Sequence, residues 1–192
     1  MKQFFIALLA FAALSVAEPH THDGFFMNYA VGAGYQNFEF KHIVGSKSAS
    51  IEGVSSEFSL KLGRAINPEM IVHVTLFDVE NTNELSFDGE SYPIEGVNSM
   101  FIGIGATHYT ETNFFTSVSI GYTQTHFATE AQIDFRDKNH GFGFEASIGK
   151  EWWCGEEWGF GGAIALTYIR NPKKGYNASA YGINFMLSLT YN

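Results

Sequence analysis

The chain has 192 residues, room for one domain, and carries 20 Asp plus Glu against 11 Lys plus Arg. A net charge of −9 excludes a nucleic-acid binder working through phosphate contacts, and the single Cys154 excludes an internal disulfide. With 19 Phe, 9 Tyr and 20 Gly against only 4 Pro, the composition suits β-structure with a tightly filled interior.

In chain order, Met1-Lys2-Gln3 is a short basic start, Phe4 to Leu14 is apolar, and Ser15-Val16-Ala17 is small. This pattern predicts a secretory signal peptide over 1–17, cut between Ala17 and Glu18 and too short to span a bilayer as a helix. Lys2 is the one charged residue it would remove, so the remainder is more acidic still. Residues 18–24 are then a short periplasmic segment, and 25–192 the folded domain.

From Phe25 onward, apolar residues recur at every second position rather than at three and four, which predicts strands and excludes helices. Eight are expected: Phe25 to Gln36, Val54 to Ala65, Met70 to Val79, Val97 to Tyr109, Phe114 to Phe127, Gly141 to Glu151, Trp158 to Ile169 and Tyr181 to Asn192. In the last, Tyr181, Ile183, Phe185, Leu187, Leu189 and Tyr191 share one face. Across the middle of the eight strands the apolar faces contain no Asp, Glu, Lys, Arg or His, such residues (Arg64, Asp78, His108, His126, Lys150) falling only at strand ends, while the opposite faces are mostly Gly, Ser and Ala. In a soluble barrel the large apolar side would point inward and the outside would be charged. Here small residues suit a narrow interior and large apolar ones a lipid-facing exterior. The expected fold is an all-β, eight-stranded antiparallel up-and-down transmembrane β-barrel.

Connections alternate in length. Short ones hold Asn67-Pro68-Glu69, Thr110 to Asn113 and Cys154-Gly155-Glu156-Glu157; long ones run about Asn37 to Gly53, Glu80 to Gly96, Ala128 to His140 and Arg170 to Ser179. Short periplasmic turns and long external loops are the outer-membrane pattern, and eight strands put both termini on the periplasmic side. Trp152, Trp153, Trp158 and Tyr191, with Phe25, Phe26, Tyr109 and Phe114, are expected to form the periplasmic aromatic girdle. Tyr35, Phe77, Tyr122, Phe127, Phe142, Tyr168 and Tyr181 are expected at the outer interface.

This pattern resembles the small outer-membrane barrels of the OmpA, OmpX and OmpW type over the whole of 18–192. The stretch Gly141 to Leu166, with Ile148-Gly-Lys-Glu-Trp-Trp153 and Trp158-Gly-Phe-Gly161, and the ending Leu187-Ser-Leu-Thr-Tyr-Asn192 are similar to barrel proteins of unassigned function from myxobacteria and related Gram-negative bacteria. The resemblance implies fold and location, not an activity. It departs from the common assembly signal in that Asn192 follows Tyr191 at the terminus.

Four polar residues fall on the interior face: Glu57, Lys61, His73 and Glu145. Unpaired burial of such groups is costly, so a lumen-plugging polar network is expected, with a gated ion path as the alternative. The hairpin through Asn67-Pro68 should bring Lys61 near His73 or Thr75. No enzyme, cofactor or metal is expected. The least poor catalytic grouping is Thr125, His126 and Glu130, without a motif that assembles it. An acidic loop with Glu80, Glu84, Asp88, Glu90 and Glu95 reads as solvated, with divalent-ion binding or cation bridging to lipopolysaccharide as the alternative, and a basic one with Arg170, Lys173 and Lys174 could meet lipopolysaccharide phosphates. Expected partners are outer-membrane lipid, lipopolysaccharide and the barrel-assembly machinery, with the chain as a monomer. The expected role is a structural or surface-interaction scaffold holding four exposed loops; the alternative is a narrow channel for small solutes, and a lipid-modifying or proteolytic enzyme is a remote third.

Overall fold

The computed structural model describes residues 22, 24–44, 47–93, 96–128, 139–173 and 176–191. The expected leader with its Ala17–Glu18 boundary lies outside them, as do Glu95, Glu130, Lys174 and Asn192. Among the described residues the strands are β1 (Phe25–Val44), β2 (Lys47–Asn67), β3 (Met70–Asn81), β4 (Leu85–Phe87), β5 (Glu90–Tyr92), β6 (Gly96–Tyr109), β7 (Phe114–Ala128), β8 (Asn139–Trp153), β9 (Trp158–Lys173) and β10 (Tyr176–Tyr191). Eight of these pair in the order β1-β10-β9-β8-β7-β6-β3-β2, and β1 also pairs with β2, so the sheet closes. All pairings are antiparallel. The fold is the closed eight-stranded barrel that the alternation predicts. Closure removes the free edges that an open sheet of this length would expose.

The wall is inside-out over one zone. Val31, Val54, Ile104, Ile120, Leu166 and Phe185 face outward and are exposed, while Ser59, Thr75, Ser117, Glu145, Thr167 and Asn184 are buried within. On β10 this outward apolar run spans Tyr181 to Tyr191, and its register partners on β1 and β9 keep step with it. The ten steps from Tyr181 to Tyr191, at about 3.3 Å each and the usual barrel tilt of about 40°, give a belt roughly 25 Å tall, matching the apolar band of such barrels.

Above that belt the alternation inverts its chemistry without slipping register. On β1, Asn37, Glu39 and Lys41 take the outward positions, while Phe38 and Phe40 are buried. On β2 the pair is Glu52 outside and Ile51 inside; on β3, Asp78 and Glu80 outside and Phe77 and Val79 inside; on β9, Arg170 outside and Ile169 inside. A period-two chain in water buries its apolar face, and in lipid it exposes it. The point of inversion, Gln36/Asn37 on β1, therefore marks one boundary of the belt.

This inversion corrects the expected loop lengths. Asn37 to Gly53 and Arg170 to Ser179 are mostly strand: the β1–β2 ladder continues to Val44 and Lys47, and the β9–β10 ladder to Lys173 and Tyr176. The inward Phe38, Phe40, Ile51, Ala178 and Ala180 pack together and extend the pairing beyond the belt. In the next connection β4 and β5 form a small hairpin laid against β2, with Ala49 opposite Phe87 and Ile51 opposite Leu85. Its tip is Asp88-Gly89, with φ of 57° and 83°, the doubly left-handed backbone that a tight two-residue hairpin requires.

The girdle also needs correction. Trp153 is 1% exposed, and Phe26, Tyr109 and Phe77 are likewise buried inside the barrel rather than facing lipid. Adjacent strand residues point to opposite sides. Trp152, Phe25, His108 and Leu76 take the outward positions next to them, so their neighbours turn in. Trp152, Trp158, Phe25 and Phe114 do face outward, with the Tyr191 ring 5.1 Å from Trp158 and 6.5 Å from Phe25. At the other boundary Tyr35, Tyr122, Phe142, Tyr168 and Tyr181 face outward, and the Phe127 side chain lies outside the described residues.

Candidate functional site

The barrel lumen is where the buried chemistry collects. At the loop end it is filled by Phe38, Phe40, Ile51, Phe77, Val79, Val97, Phe101 and Ile169. Phe77 and Phe101 stack with ring centroids 4.4 Å apart and planes 7° from parallel. The Phe101 ring lies across a floor of glycines: a Cβ on Gly103 would meet its Cζ at 2.5 Å, and one on Gly143 its Cδ2 at 3.0 Å. Glycine at these inward positions is what lets a large ring lie flat in a narrow barrel.

The opposite end is closed by Phe26, Ile71, Tyr109 and Phe115. His22 lies against it, its ring 3.7 Å from Tyr109 and 5.2 Å from Trp153. Tyr109 donates its hydroxyl to Glu151 at 3.3 Å, and Asn28 donates to Thr190 at 2.8 Å.

Between the two apolar closures lies a polar layer. Lys61 Nζ is 2.7 Å from Glu145 Oε1 and donates to Ser117 Oγ at 3.0 Å. His73 bonds through Nδ1 to Thr75 at 2.9 Å and through Nε2 to Thr107 at 3.0 Å. Thr107 donates onward to Ser117 at 2.9 Å, and Thr75 bonds Ser119 at 2.9 Å. A neutral imidazole with its proton on Nε2 satisfies both ring nitrogens in this chain of hydroxyls. Glu57 Oε2 accepts from Asn184 Nδ2, whose Oδ1 accepts from Ser55 at 3.1 Å. Nearer the loop end Gln36 donates to Thr167 at 2.7 Å, and Ser99 bonds Thr125 at 2.7 Å.

All four interior residues expected from the sequence, Glu57, Lys61, His73 and Glu145, are thus inward and buried. The hairpin does set Lys61 opposite Thr75 in register, but its ammonium reaches Glu145 on β8, not His73. Sequence reasoning missed Asn28, Gln36, Asn184 and Glu151. Glu151 was legible, since it sits six positions beyond Glu145 on the same face of β8. Asn184 could be found by parity too, but its partner Glu57 is on a strand 127 positions away in sequence.

The Thr125 and His126 grouping does not assemble. Thr125 is buried and bonds Ser99, while His126, on the opposite face, bonds Gln124 at 2.7 Å. Among the described residues, His, Cys, Asp and Glu form no group of three that would hold a metal. Cys154 is a free thiol in the β8–β9 turn, its Sγ donating to the Trp158 carbonyl at 3.4 Å. Tyr92 in β5 donates to Glu90 Oε2 at 2.7 Å, and that bond raises its pKa above the ordinary phenol value.

Closed antiparallel staves, an apolar outer belt and a polar filled lumen decide the structural class. By fold, this is a small outer-membrane-type barrel. The structure of the outer membrane protein OprG from Pseudomonas aeruginosa is similar at a TM-score of 0.55 and 9% identity, covering 91% of this chain and 97% of that one. Neisserial surface protein A is similar at 0.52 and 12% identity, covering 90% and 99%. No family model and no curated protein sequence matches the chain.

Proposed function

We propose that the chain is an outer-membrane protein of a Gram-negative bacterium, with both termini periplasmic, that acts as a non-enzymatic scaffold presenting four connections at the cell surface. The observation that carries this reading is the lumen. Apolar side chains fill it at both ends, Phe77 with Phe101 at one and Phe26 with Tyr109 and Phe115 at the other. An eight-stranded barrel has an interior just wide enough for side chains, and here they occupy it.

The surface end supports a presenting role. The β1–β2 hairpin rises to Val44 and Lys47, β4 and β5 extend that sheet sideways, and β5 ends it with Glu90, Ser91 and Tyr92 all exposed. The raised wall is polar outside: Glu39 pairs with Lys41 at 3.3 Å, and Asn37 donates to Glu52 at 3.1 Å. Lipid contacts the belt, lipopolysaccharide the polar rim above it, and the barrel works as a monomer inserted by the assembly machinery.

Planar-bilayer recording on the purified protein tests the proposal. The scaffold gives no reproducible open level. Discrete openings that change in Glu145→Gln would replace it with the narrow-channel reading. Outer-membrane fractionation with heat-modifiable gel migration tests the location.

A further inference from the structure

Four buried oxygens in the middle of the lumen have no hydrogen-bond partner: Glu57 Oε1, Ser59 Oγ, Glu145 Oε2 and Ser188 Oγ. Their residues are only 2% to 5% exposed. All four residues line one small cavity of about 20 Å³, together with Lys61. That is room for one water-sized particle. With both carboxyl groups ionised the charge around it does not balance. Glu57 and Glu145 bring two carboxylates and Lys61 one ammonium, and the ammonium is already engaged by Glu145 Oε1 and Ser117.

We propose that this cavity binds one dehydrated alkali-metal cation, Na+ by size, held by Glu57 Oε1, Glu145 Oε2 and the hydroxyls of Ser59 and Ser188. Each donor is a hard oxygen, the set that suits s-block ions rather than zinc, which prefers nitrogen and sulfur. A calcium ion takes six to eight oxygens and a magnesium ion keeps several waters, neither of which a one-particle space supplies. A single positive charge makes the layer neutral. A lone water would satisfy the four oxygens and leave the buried layer negative unless Glu57 takes up a proton, so retention of sodium is the measurement that separates the ion from a protonated carboxyl with water. The donors come from β2, β8 and β10, so the ion ties together staves from different parts of the ring. With apolar side chains closing both ends, it enters as the barrel folds and stays.

The test is to refold the full chain into detergent in NaCl and, separately, in choline chloride at the same ionic strength. The sodium sample is then passed into choline buffer. The expected result is one sodium retained per folded barrel by atomic emission, released on thermal unfolding. The unfolding midpoint should stand several degrees above that of the choline-refolded protein. Ser59→Ala/Ser188→Ala should lose both the retained ion and the sodium dependence. A wild-type barrel that retains no sodium, or melts identically in the two salts, overturns the proposal. So does a double variant that keeps the full sodium response, which would place the effect at the surface. The retention measurement needs only wild-type protein, so a variant that fails to fold does not shelter the idea.

Discussion

Replacing Lys61 by Met should be the most damaging single charge change in the barrel. Its ammonium is 2.7 Å from Glu145 Oε1, with the two side chains 8% and 2% exposed. At an effective dielectric constant of about 20, two unit charges some 4 Å apart attract by about 4 kcal/mol. Removing one partner of a buried pair typically costs about 3–5 kcal/mol, because the other is left uncompensated. Here the cost is asymmetric. Lys61→Met leaves both Glu57 and Glu145 in the layer with no cation from the chain. Glu145→Gln leaves Lys61 with Glu57, a pair that balances without any bound cation, and the amide still accepts a hydrogen bond. The expected costs are about 3–5 kcal/mol for Lys61→Met and about 1–2 kcal/mol for Glu145→Gln. Combining the two should cost less than the sum of the singles. The assay is denaturant unfolding in detergent followed by tryptophan emission, with heat-modifiable migration as the folded-state check. Equal costs for the two single changes, or strict additivity, would refute the charge count.

Phe101→Ala should destabilise by about 3–5 kcal/mol, since the stacked ring fills the loop-end closure; combined with Phe77→Ala it should turn a silent barrel into one with measurable bilayer conductance. Ile120→Lys, at a belt position 61% exposed, should cost about 2–4 kcal/mol in a bilayer, whereas Lys41→Ala above the belt should stay within about 0.5 kcal/mol. Gly121→Val should severely impair folding yield, because even a Cβ there would meet the Ile102 carbonyl oxygen at 2.2 Å and Gly103 Cα at 2.4 Å. Glu90→Gln should bring the Tyr92 phenol back down toward its ordinary value, read as the Tyr92→Phe-sensitive part of the ultraviolet phenolate titration.

Much of this could be read from the chain. The period-two alternation, the small residues on one face and the short turns at Asn67, Thr110 and Cys154 fix eight antiparallel staves. Parity alone puts Glu57, Lys61, His73 and Glu145 inside, because side-chain direction in a strand is a local property. Expectation and structure part where nearness in sequence competes with parity. Nearness in sequence groups Trp153 with Trp152 and Trp158, although neighbours on a strand must face opposite ways. Phe38 and Phe40 sit in phase with the lumen, yet Asn37 to Gly53 read as loop because apolar residues there change sides.

What the tertiary structure decided was partnership. Lys61 and Glu145 are 84 positions apart and Glu57 and Asn184 are 127 apart, on staves that meet across the lumen through closure and tilt. The same holds for the convergence of Ser59, Ser188 and two carboxylates on one small cavity. The sequence by itself determined which side of the wall each residue faces, because that follows from the pleat. Which residues meet at the same depth inside depends on the shear of the closed ring, a sum over all eight strand registers that no single segment encodes.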